Sequence, residues 1–258
     1  MENMAYSETG HNINVAHLNQ LNETIITFGV KYNPAKNRIK LLELQALYTA
    51  GNQQIAFVQT SKNNYSTKVD DREDAYKNVK TFSTQIIGIM SGTNVSKALI
   101  KDAKSINKKI QGTRIDNPNT PPTTNQEGEP IEDNSIENDP LGKKHSTSRQ
   151  SHISIQENFA DLVDLLENAE NYDPNEDEFK IPSLKDYSEN LKNANQRIDT
   201  AVAQVKEKRI DRNQFLYTPE TGLVDTALEA KDYIKGLFGA SSPEFKAADA
   251  ISFRNFKQ

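Results

Sequence analysis

Apolar side chains recur along this chain at alternating spacings of three and four, the signature of helices that each bury one narrow stripe. The first stripe runs through Leu18, Leu21, Ile25 and Phe28, the second through Leu41, Leu44, Tyr48, Gly51, Ile55 and Val58, and the third through Ala75, Val79, Phe82, Ile86 and Ile89. A shorter fourth follows at Leu99, Ala103, Ile106 and Ile110. The same series returns later: Ile155, Phe159, Leu162, Leu166 and Ala169, then Leu184, Tyr187, Leu191, Ala194, Ile198, Ala201 and Val205, then Leu223, Ala227, Ala230, Ile234 and Leu237, and last Phe245, Ala248 and Ile251. No run of alternating β-branched residues asks to be a strand.

Local matches tie the two series together. Tyr32-Asn33-Pro34 with Ile39 corresponds to Tyr172-Asp173-Pro174 with Phe179 at an offset of 140, and Gly51 through Ile55 to Ala194 through Ile198 at 143. Gly88-Ile89-Met90 corresponds to Gly236-Leu237-Phe238 at 148. Order is kept throughout, which predicts an internal duplication. Four junctions, Asn33-Pro34, Asp173-Pro174, Thr218-Pro219 and Ser242-Pro243, place a capping side chain ahead of a proline and predict helix starts. Pro182 predicts a short turn before the second long helix, which then begins near Ser183.

Between the two series, residues 115–150 hold Asn117-Pro118, Pro121-Pro122 and Glu127–Pro130 with few large apolar side chains. Such a segment cannot bury enough surface to offset its ordering entropy, so it reads as a disordered linker. The expected architecture is therefore all-α: two tandem up-and-down bundles of about four helices each, residues 1–114 and 151–258, joined by that linker.

Charge separates the copies. Residues 1–114 carry a net +6, residues 115–150 a net −4 and residues 151–258 a net −7. Opposite signs on duplicated modules predict mutual attraction, within one chain or between chains, that weakens as salt rises. The basic excess is concentrated in Lys97, Lys101, Lys104, Lys108, Lys109 and Arg114, a face suited to a polyanion or an acidic partner. Nucleic acid is the partner such a face would suit best, but lysine outnumbers arginine there, no aromatic residue interleaves for base stacking and the whole chain is acidic, so a solvated basic face, or one that docks on the acidic half or the linker, is the expected reading.

Reaction chemistry finds little support. Cysteine is absent, which removes thiol catalysis and disulfides and fits a reducing compartment such as the cytoplasm. His11 and His17 are six residues apart, and His145 and His152 lie in or beside the linker, so no zinc spacing results. The run Asp173, Asn175, Asp177, Glu178 lacks the glycine and terminal glutamate of a calcium loop, and Asp161, Asp164 and Glu167 read as a solvated acidic face. No phosphate-binding loop, Gly-x-Ser-x-Gly or HExxH occurs. The polar N-terminus argues against secretion, and the apolar run Ile86–Met90 is too short to span a bilayer. The expectation is a cytoplasmic, non-enzymatic scaffold or adaptor with no cofactor and no metal. Nucleic-acid association through residues 97–114 and peripheral membrane activity are the two alternatives.

Overall fold

The structure, a computed structural model, describes residues 9–112 and 150–256. Among these residues there are helices and turns and no strand. The helices are α1 (Thr9–Phe28), α2 (Leu41–Tyr76), α3 (Val79–Met90), α4 (Lys97–Gln111), α5 (His152–Glu167), α6 (Ile181–Tyr217), α7 (Leu223–Phe238) and α8 (Pro243–Asp249). The expected disordered linker lies almost wholly outside the described residues.

Helix boundaries follow local chemistry, though not always the chemistry expected. Ser242 does cap α8, its Oγ accepting from the Phe245 N–H at 3.0 Å with Pro243 in the first turn. The other three Pro junctions are not helix starts. After Pro34 and Pro174 the chain makes a 3-10 turn, Asn37–Ile39 or Asp177–Phe179, and the long helices begin only at Leu41 and Ile181. The reason is the preceding tyrosine: Tyr32 Oη donates to the Ile39 carbonyl at 2.6 Å and Tyr172 Oη to the Phe179 carbonyl at 2.8 Å, which closes each segment into a loop. After Pro219 the chain turns through Glu220 at φ 66°, and α7 starts at Leu223.

The chain forms two compact units, and their composition differs from the division at 1–114 and 151–258. One unit comprises Met1–Thr67 with Asp199–Gln258, the other Lys68–Ile198. Each boundary falls inside a long helix, so each unit takes the opening of one copy and the close of the other. Helix length accounts for this: α2, at 36 residues, extends about 54 Å, far beyond what the 20-residue α1 can cover.

In the first unit, Val15, Leu18, Leu21 and Ile25 of α1 are buried with Leu44 of α2, Leu216 of α6, Leu223, Ala227 and Ile234 of α7, and Ala248 of α8. Gly51 permits the close approach of α2, because a Cβ there would lie 3.1 Å from Leu223 and 3.2 Å from Val15. In the second unit, Val79, Ile86 and Met90 of α3 and Ala103 and Ile110 of α4 are buried with Phe159, Leu162 and Leu166 of α5 and Leu184 and Leu191 of α6.

Candidate interaction surface

Helix α4 is a clean amphipathic element. Ser96 caps it, accepting from the Leu99 N–H at 3.2 Å. Gly112 ends it in the left-handed region at φ 80°, where its N–H reaches the Lys108 carbonyl at 3.1 Å. Leu99, Ala103, Ile106 and Ile110 turn toward the core of the second unit. At about 100° per residue, Lys97, Lys101, Lys104 and Lys108 fall within an arc of about 60° on nearly the opposite side. All four are exposed, and they line up over roughly 16 Å of helix.

The remaining predicted residues part company. Lys109 is half-buried off this arc, and its carbonyl accepts from Gln150 Nε2 at 3.1 Å. Arg114 lies outside the described residues. Among the described residues Lys97, Lys101 and Lys104 form no ion pair, whereas Lys68, Lys180, Lys185 and Lys192 each meet a carboxylate. Lys97 stands in the first turn of α4, which holds no acidic residue, so it opposes the positive end of the helix dipole. Helix stability therefore does not account for its charge.

Other groups singled out in the sequence serve packing. His11 lies 2.7 Å from Tyr217 Oη, and His17 Nδ1 lies 2.5 Å from the Ser252 carbonyl. The His152 ring meets Tyr76 edge to face, with centroids 4.7 Å apart. His145 is outside the described residues. Asp177 pairs with Lys180 at 2.6 Å, which holds its carboxyl below the usual carboxylate range. Glu167 pairs with Lys185 at 2.5 Å, and Asp161 and Asp164 are exposed on α5. Among the described residues no group of three or more histidines or carboxylates could hold a metal ion.

Two charged features escaped the sequence reading. Glu229 on α7 receives both Lys36 and Arg38 from the loop before α2, and Arg38 also donates to the Glu220 carbonyl. Those hydrogen bonds hold the Glu229 carboxyl below its ordinary value against the opposing effect of burial. Lys231, buried at 9% exposure, donates to the Ile251 carbonyl at 2.9 Å and the Asp249 carbonyl at 3.2 Å. Its position between Ala227 and Ile234 was a visible signal, a charge set on an apolar stripe.

No family model, no curated protein and no solved structure matches the chain.

Proposed function

We propose that this protein is a non-enzymatic helical scaffold, internally duplicated with 115–150 as the connecting segment, that binds an acidic partner protein through the lysine face of α4. The observation that carries the reading is the arc of Lys97, Lys101, Lys104 and Lys108, exposed on the side of α4 opposite its buried stripe. Duplication is supported by the paired loops. Tyr32 and Tyr172 each donate to the carbonyl seven residues on, each loop contains a 3-10 turn, and the long helices that follow have 36 and 37 residues. Among the described residues no helix is long and apolar enough to cross a membrane. The absence of cysteine supports a reducing compartment such as the cytoplasm as the location of the scaffold.

Lys97, Lys101 and Lys104, which form no ion pair among the described residues, leave a positive potential that raises encounter rates with an acidic surface. The test is affinity capture from nuclease-treated native lysate with the full chain, beside a variant carrying Lys97→Glu, Lys101→Glu and Lys104→Glu. Proteins retained by the wild type and lost by the folded variant are the expected result. An identical set from both proteins overturns the assignment of the surface, and capture that disappears with nuclease treatment supports nucleic acid instead.

A further inference from the structure

The two copies differ where the loop before each long helix meets the neighbouring short helix. In the first unit Lys36 and Arg38 of the loop close onto Glu229 of α7. Offsets of 140 along the loop and 148 along the short helix make Glu176, Glu178 and Thr81 the corresponding residues of the second unit. The loop there is acidic at both positions, the helix position is the uncharged Thr81, and among the described residues no clamp forms. A groove lies at this place instead, lined by Asn78, Thr81, Phe82, Gln85, Glu178, Ser183 and Tyr187. Its floor is aromatic: Phe82 stacks on Phe179 with centroids 5.5 Å apart and meets Tyr187 at 4.8 Å. The matching residues of the first unit are Ala230, Ile39 and Leu47, all aliphatic.

We propose that this groove of the second unit receives an arginine side chain presented by a partner protein, supplying in trans the cation that Arg38 supplies in cis to the first unit. Glu178 is exposed, and among the described residues it has no ion pair. A planar guanidinium stacks on aromatic faces while its N–H groups bond a carboxylate, a combination that the half-buried Phe82 and Tyr187 beside Glu178 offer together. Thr81, Asn78 and Gln85 add neutral acceptors and no competing positive charge. The inference takes only the equivalence of the copies from the proposed function and makes no use of the α4 lysines.

The test titrates the full chain with the blocked tripeptide acetyl-Gly-Arg-Gly-amide and with its citrulline counterpart, which keeps the shape and loses the charge, followed by amide NMR shifts. Saturable shifts at residues 78–85 and 178–187 are expected, at least tenfold weaker with citrulline. Glu178→Gln should weaken binding at least fivefold with the spectrum otherwise preserved. The pair Thr81→Glu with Glu178→Arg should rebuild the clamp, abolish binding and raise the Tm. Lys101→Glu with Lys104→Glu should leave arginine binding intact, which separates this site from the α4 face. Equal binding of the two peptides, or arginine binding indifferent to Glu178→Gln, would overturn the proposal.

Discussion

Tyr32 and Tyr172 show how one side chain fixes a local conformation twice. Each phenol reaches forward over a proline-containing loop to the carbonyl seven residues ahead, and burial pushes the Tyr172 hydroxyl up to about 12 and raises that of Tyr32 as well. Removing either hydroxyl leaves a carbonyl at the end of a 3-10 turn without its donor. Tyr32→Phe and Tyr172→Phe should each cost about 1–3 kcal/mol, and the double variant roughly the sum, since the two bonds share no partner. Urea denaturation of the three variants checks this. A loss near zero for either single change would mean that the loop is held by its apolar residues alone. The sequence showed the Tyr-x-Pro match but not its meaning, because a hydrogen bond to a backbone carbonyl leaves no mark on the identity of the accepting residue. Capping was misplaced for a related reason. Ser96 and Ser151 accept the N–H bonds that cap α4 and α5, while the proline signal drew attention elsewhere.

At the scale of the helix, α5 begins with an ionisable group in an uncongenial place. His152 follows the Ser151 cap, its ring edge-on to Tyr76, and burial first, then the Arg72 charge, hold its pKa below the ordinary 6.5. A helix N-terminus also disfavours added positive charge. The unfolded chain therefore binds the proton more readily than the folded one, and folding stability rises with pH across the interval between the lowered pKa and 6.5. Below that interval the contribution is gone; above it the contribution is complete. Thermal unfolding followed from pH 7 to pH 5 should show a fall in Tm that His152→Gln reduces, whereas equal pH profiles for the two proteins would place the acid sensitivity elsewhere. Element positions were largely legible, since most of each apolar stripe lies on one helix, although Ala75 of the third stripe belongs to α2 and the rest to α3, and Ala169 and Ile251 fall just past the ends of α5 and α8. Their lengths were less so. Residues 59–74 carry no apolar stripe, yet α2 continues through them, because no glycine or proline interrupts the run and pairs such as Gln59 with Asn63 and Lys68 with Asp71 stabilise it from the surface. The α4 lysines were visible as a run, and helical spacing alone aligns four of them. The arginine groove was not legible, because it depends on a loop and a helix far apart in sequence.

For the molecule as a whole, periodicity states which face of a helix is buried but not which partner buries it, and here the partners are exchanged between copies. Both cores mix residues from before 113 with residues from after 149. Described residues on either side of those positions also lie together. Lys80 Nζ donates to the Gln111 carbonyl at 3.3 Å and to Gln150 Oε1 at 2.7 Å, and Gln150 Nε2 donates to the Lys109 carbonyl. In the first unit Asn14 is bonded to the backbone of Arg254 through both its amide groups, at 2.7 and 3.0 Å. No core contact needs the covalent link, so a specific protease site placed near residue 130 and cut in the purified full chain should leave both pieces eluting together at the intact size. Charge alone predicts that they separate as salt rises. The cores predict that they stay together at roughly 1 M salt, because burial of apolar stripes is not screened and the ion pairs joining the pieces, Lys36 and Arg38 with Glu229, are partly exposed and contribute little. Pieces that separate in low salt would show that each half folds on itself, and pieces that separate only in high salt would restore charge as what holds them.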